Sequence, residues 1–198
     1  MRHRVVFHLC WSLIICMLLL QGLQAAQMED REYKIKAAFL YNFLKAIEWP
    51  EQQHPANNAP YVIGILGDSP FGNSFDPIHD RTVRGHTVKV IDIPHQQHED
   101  PTTQTEATAQ MRSCHILFIC SSEHDHMDEL LSLVKGYAVL TVAESDSFLS
   151  LGGMINFLPY AKKGEFEINL SASQEAGLQM SSKLLHIAKK VVNNKESN

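Results

Sequence analysis

Four short apolar runs, Tyr61 to Gly67, Thr87 to Ile93, Cys114 to Cys120 and Tyr137 to Val142, are interleaved with longer polar or helix-patterned stretches. Strands spaced in this way build βαβ units, because parallel neighbours need a crossover that carries the chain back to the same end of the sheet. The spacing therefore predicts a single α/β domain with a mostly parallel sheet and helices packed on both faces. Helices are expected from about Pro70, over Thr105 to Arg112 and over Asp125 to Val134, with a short helix or turn over Ser145 to Leu151. Downstream, Gly152 to Phe157 and Phe166 to Leu170 flank a Lys162-Lys163-Gly164 turn, the pattern of an antiparallel hairpin. A long last helix is expected from Ser173, with Gly177, Met180, Leu184, Ile187 and Val191 down one side, and residues 193–198 read as a frayed tail.

Upstream of the sheet, Ile35, Phe39, Phe43 and Ile47 recur at i, i+4, a helical stripe that Ala38, Asn42 and Ala46 widen. Asp30 is a candidate N-cap, and Pro50 stops the helix because the residue before proline is pushed out of helical geometry. Tyr33, Tyr41 and Trp49 fall off the stripe. Aromatic residues with a polar handle are enriched at interfaces, so these three and Pro50 are candidates for touching a partner.

The chain begins with Arg2 and Arg4, runs through apolar residues from Val5 to about Leu20, and reaches Ala25 and Ala26. That is the layout of a secretory signal peptide over residues 1–25, which leaves a domain over 26–198 and no membrane insertion after cleavage. Removing Arg2 and Arg4 leaves 17 − 2 = 15 Lys plus Arg against 22 Asp plus Glu, a net charge near −7. An acidic surface disfavours nucleic acid, whose binding draws mainly on phosphate neutralisation. Cys114 and Cys120 are the cysteines that stay in the domain. Six residue steps along one strand span about 20 Å, too far for a disulfide between them; they read as buried free thiols, with intermolecular pairing or redox sensitivity the alternative, and the apolar run should raise the pKa of Cys114 and silence it.

Candidate chemistry is thin. His124-Asp125-His126, with His95 and His98 second, invites a metal, but no third ligand is fixed by spacing. The Gly64 to Gly72 turn lies where a phosphate loop would sit, yet it lacks the spacing of either glycine-rich fingerprint. Ser121-Ser122-Glu123-His124 at the end of a strand is the best catalytic constellation, and it has no partner acid or oxyanion site. The reading is a non-enzymatic protein without catalytic residues or cofactors; the alternative is a small-ligand or metal binder using Asp68 to Gly72 and Ser121 to His126.

Taken in order, Lys36 to Leu44 ending at Trp49-Pro50, Ile65 to Asp68 with Pro70-Phe71-Gly72, Cys114 to Phe118, Gly152 to Phe157, Phe166 to Leu170 and Gly177 to Leu185 resemble the YfiR family. The motif positions are Phe39, Asn42, Phe43, Gly67, Asp68, Cys114, His115, Gly153, Asn156, Phe166, Ile168, Asn169, Ser182 and Leu184. The resemblance implies a periplasmic protein, a possible homodimer, that binds the periplasmic domain of an inner-membrane diguanylate cyclase and represses it, lowering cyclic-di-GMP and biofilm formation. One departure stands out: the family's namesake has a cysteine able to bridge to the position of Cys114, and here Gly64 replaces it. Its second disulfide, near the terminal hairpin, has no cysteines here either. Redox control of that kind is thereby put in doubt.

Overall fold

The computed structural model describes residues 28–193 except 29, 57, 80, 95–100 and 159–163, and of 101–103 it describes the backbone alone. The leader, His95, His98, the Lys162-Lys163 turn and residues 194–198 lie outside the described residues.

Helix α1 (30–46) leads into strand β1 (Ile47–Glu48), then β2 (Tyr61–Leu66), β3 (Thr82–Val83), β4 (His86–Ile93), α2 (Pro101–Ser113), β5 (Ile116–Ile119) and α3 (Met127–Val134). The chain continues through β6 (Leu140–Ala143), β7 (Ile155–Phe157), β8 (Phe166–Asn169), α4 (Leu170–Glu175), β9 (Gln179–Met180), α5 (Ser182–Ile187) and β10 (Lys190–Val192). Eight strands form one sheet in the order β10-β8-β7-β6-β5-β2-β4-β3, and β1 pairs with β9 in a small second sheet. β4, β2, β5, β6 and β7 are mutually parallel, while β7 and β8 form the antiparallel hairpin, with Phe157 opposite Phe166.

Strand alternation separates two cores. Ile63, Ile65, Ile116, Phe118, Leu140 and Val142 face α1; Leu66, Leu117, Ile119 and Ala143 face α2 and α3 with Met111, Leu130 and Val134. The α1 face is strongly aromatic. Phe43 stacks on Phe157 at 6.0 Å and meets Phe166 edge-on at 5.2 Å, while Phe39 meets the same two rings at 6.1 and 5.5 Å. Gly164, at φ 66°, passes so near that a Cβ there would stand 2.6 Å from the Phe39 ring.

Three expectations are corrected. The helix expected from Pro70 is instead a series of turns with a short 3-10 segment at Asp76–Ile78, because Gly67 (φ 92°) and Gly72 (φ 47°) take left-handed backbone. The long last helix breaks at Gly177 (φ 76°), where the Leu178 N–H donates to the Ser173 carbonyl and the Gly177 N–H to Gln174, closing α4. Met180 then pairs with Ile47 across β9 and β1, Ser181 caps α5, and Val191 enters β10 beside Ile168. Third, the buried face of α1 runs through Lys36, Ala37, Leu40, Phe43, Leu44 and Ile47, while Ala38 and Asn42 are exposed. Rotating the stripe in this way brings Tyr41 into the core, where its hydroxyl donates to the Thr82 carbonyl at 3.1 Å. Two smaller boundaries also move: α2 opens at Pro101, and Ser121–His126 is a 3-10 segment ahead of α3.

Cys114 and Cys120 are free, buried thiols on opposite ends of β5. Burial pushes both up to about 12, so both stay protonated at neutral pH. Gly64 lies in β2 directly beside the first of them: a Cβ built there would be 2.6 Å from Cys114 Sγ, with Ile93 and Leu117 closing the remaining space. The thiol can rotate aside, and a second sulfur could bond to it. Gly64→Cys is therefore expected to form a disulfide with Cys114 under oxidation. Closing a loop of about 50 residues should raise unfolding stability by about 2–4 kcal/mol. Non-reducing mass spectrometry and urea unfolding with and without reductant check this, and a variant that keeps all three domain thiols titratable refutes the geometry.

Candidate functional site

Strand order reverses at β2 and β5: the chain leaves β2 for β4 on one side and returns to β5 on the other. In open parallel sheets the crevice beyond the carboxyl ends of such a pair is where ligands bind. Here the two loops of the rim are tied to each other. The Asp68 N–H donates to Ser122 Oγ at 3.0 Å, and Ser122 Oγ donates to Glu123 Oε1 at 3.2 Å. Glu123 is 1% exposed, and a Cβ on Gly67 would collide with Ser122 and Glu123, so glycine is required there by space as well as by φ.

Ser122 thus links the turn after β2 to the start of the segment after β5, while Asp68, Ser121, His124 and Asp125 are exposed. Ser122 is committed to Asp68 and Glu123, while His124 Nδ1 lies 3.3 Å from Ser145 Oγ and His126 Nδ1 lies 3.9 Å from Glu129. The two imidazoles turn to different neighbours. Among the described residues no group of three or more His, Cys, Asp or Glu side chains could hold a metal ion.

At the same end of the sheet stands an ionic contact that sequence reasoning missed. Lys36, 1% exposed, points Nζ at Glu32 Oε1 (2.6 Å) and at both oxygens of Glu144 (2.7 Å each). The Tyr33 ring lies 4.4 Å from that ammonium, and its hydroxyl donates to Glu144 Oε2 at 3.4 Å. Glu144 follows β6 directly, so the contact fixes the first turns of α1 over the carboxyl edge. Glu32 and Lys36 at i, i+4 were a readable helix pair; nothing local in the sequence pointed to Glu144.

The amino edge is organised by His115. Val62 N–H donates to His115 Nδ1 at 3.1 Å, which places the ring hydrogen on Nε2, donating to the Gln53 carbonyl at 2.9 Å. Tyr61 and Trp49 meet the imidazole edge-on at 4.7 and 5.8 Å, and His86 Nδ1 lies 2.9 Å from the Ala59 carbonyl. Two imidazoles therefore hold the 50–60 connector against the sheet. Trp49, expected on an outer face, is buried in this cluster, and no acceptor for its Nε1 lies among the described residues. Tyr41 is likewise buried; Tyr33 and Pro50 are half-buried. The aromatic side chains fall off the sequence stripe because the helix turns further than the stripe suggested.

The remaining motif residues serve turns and packing. Asn156 Oδ1 accepts from the Ser145 N–H at 2.9 Å. Asn169 caps α4 through the Ala172 N–H (3.1 Å) and donates Nδ2 to the Leu149 carbonyl at 3.0 Å. Gly153 leaves room only for the Phe148 ring. Ile168 and Leu184 are buried in the α1-side core, and Ser182 is exposed, the α5 cap being Ser181.

Burial holds His115 below the ordinary histidine value of 6.5, with His54 and His86 adding to the depression and the bond to Gln53 opposing it. The folded ring resists a proton that the unfolded chain accepts. The stability it contributes is therefore complete above 6.5 and is lost as pH falls toward the depressed value. His115→Gln should show a shallower loss of unfolding stability between neutral and mildly acid pH than the parent chain. Urea titrations at matched pH values measure it; parallel pH profiles would show that the ring is not held neutral.

No curated protein matches the chain. Among solved structures, a conserved domain protein from Vibrio cholerae O1 biovar eltor is similar with TM-score 0.47 and 11% identity over 67% of this chain and 55% of that one. The ABC domain in complex with L-Trp from Streptococcus pneumonia is similar with TM-score 0.46 and 16% identity, over 66% and 55%. In both cases this chain spans little more than half the length of the other. The YfiR/HmsC-like family model, by contrast, matches residues 33–189, from the Tyr33 end of the Lys36 contact to the last residue before β10. The chain belongs to the YfiR/HmsC-like family.

Proposed function

We propose that this chain is a periplasmic, non-enzymatic regulator that binds the periplasmic domain of an inner-membrane signalling protein and represses a diguanylate cyclase. The observation that carries the reading is the family match over 33–189, which runs from α1 to the residue before β10. The physical arrangement supports it. At the β2/β5 crevice Ser122 bonds both the Asp68 N–H and Glu123, which ties the two loops of the rim together. Among the described residues no helix is long and apolar enough to cross a membrane. Repression by such a body is a matter of surface recognition, and its release is a shift between binding-competent and incompetent populations.

Deleting the gene in its own host should raise cyclic-di-GMP and biofilm mass, and restoring an exported copy should reverse both. The purified domain, immobilised, should retain the periplasmic domain of a diguanylate cyclase from a membrane extract. Unchanged cyclic-di-GMP on deletion, together with no cyclase retained, overturns the reading.

A further inference from the structure

The 50–60 connector crosses the amino edge of the sheet under two imidazoles that use their hydrogens differently. His86 Nδ1 lies 2.9 Å from the Ala59 carbonyl, which can only accept, so that nitrogen carries hydrogen whether the ring is neutral or charged. His115 is the opposite case. Its Nδ1 accepts from the Val62 N–H at 3.1 Å while Nε2 donates to the Gln53 carbonyl at 2.9 Å, an arrangement open to the neutral ring alone. A proton added at Nδ1 would meet the Val62 N–H hydrogen to hydrogen and leave that donor without its acceptor. The ring is 6% exposed, so charging it in place also takes an ion out of water; proton uptake and departure of the ring from its seat become one event.

The surroundings act in the same direction. His54 on the connector and His86 on β4 oppose a charge on His115, Glu51 is exposed, Cys114 stays protonated, and Arg112 is tied to the Leu133 carbonyl at 2.8 Å. Tyr61 and Trp49 face the imidazole with their rings, and the buried Trp49 Nε1 has no acceptor among the described residues, so the indole adds no hydrogen bond that holds the cluster shut. The 3-10 turn of the connector, Glu51–Gln53, contributes no buried residue of its own. Gln53 also forms one wall of an open cleft of about 750 Å³, shared with Thr105, Thr108, Arg112 and Tyr137.

We propose that residues 50–56 form a pH-sensitive strap: protonation of His115 frees Gln53 from the amino edge, with Ala59 still held by His86 as the hinge, and uncovers Trp49 and Tyr61. Release takes away one wall of the cleft, so the surface shown at this edge differs between neutral and mildly acid surroundings. The released ring titrates near the ordinary 6.5 and the seated ring below it. The strap is therefore closed above 6.5, and the ratio of open to closed rises by about tenfold for each pH unit below that value until the seated ring itself charges. The inference concerns the chain itself and stands whether or not the regulator reading holds.

The test uses the mature chain, residues 26–198, in which Trp49 is the one tryptophan. From neutral pH to about pH 5, acrylamide quenching of Trp49 should increase. Amide exchange at Gln53 and His54, corrected for its intrinsic pH dependence, should accelerate while Ile116–Ile119 stay protected. His115→Gln offers the same acceptor and donor without a titrating ring, so it should stay closed over the whole range; His86→Gln should keep the transition. Nitrogen NMR of the parent chain reads the seat without any variant: at neutral pH His115 should be unprotonated at Nδ1 and protonated at Nε2. The reverse tautomer, quenching and exchange unchanged down to the pH of global unfolding, or a transition that persists in His115→Gln overturns the proposal. So does loss of β5 protection in step with Gln53, which would make the event global.

Discussion

Everything on one side of the sheet depends on the contact between the start of the domain and its late hairpin. Phe39 and Phe43 of α1 interlock with Phe157 and Phe166, four rings drawn from segments more than a hundred positions apart. Aromatic pairs of this geometry contribute roughly 0.5–1.5 kcal/mol each beyond the area they bury. Without them α1 would have no reason to lie along the sheet in its observed direction. With them, Lys36 is carried to Glu144 at one edge and Trp49 to His115 at the other. The aromatic contact is non-directional on its own, and the two edge contacts supply the register.

Those edge contacts differ in kind. Lys36 is an almost fully covered ammonium between two carboxylates that keep some access to water, so much of its desolvation is offset by short charge-assisted bonds. His115 is neutral and saturated, one nitrogen accepting and one donating, so its two bonds specify the tautomer and the path of the connector together. Around them, Asn156, Asn169, Gly67 and Gly153 shape turns whose backbone has few alternatives. These polar and glycine residues fix the loops in the folded chain.

The parallel sheet was legible because apolar runs such as Ile116–Ile119 are short, buried on both faces and separated by crossover-length segments. The hairpin was legible for a similar reason, since Ile155–Phe157 and Phe166–Asn169 are bounded by turn residues. The last helix was misread because Met180, Leu184, Ile187 and Val191 keep a spacing close to helical while Gly177 takes a left-handed φ that no periodicity reveals. The turn of α1 was misread for a different reason. Lys36 counts as polar in any pattern, yet it is the most charged member of the buried face, because Glu144 arrives from over a hundred residues away. Pairings of that range leave no local trace in the sequence.

The same geometry narrows what this protein can sense. Cys114 is desolvated, its thiol is pushed up to about 12, and the place in β2 from which another sulfur could reach it is held by Gly64. Oxidation needs a thiolate and access, and burial disfavours both at Cys114. Protons meet less resistance. The neutral form of His115 holds the connector against β2, whereas a charged ring carries hydrogen on both nitrogens and loses the bond it accepts from the Val62 N–H. Of the two residues that follow one another before β5, the histidine is the one whose chemistry remains coupled to the surface, through the connector it anchors.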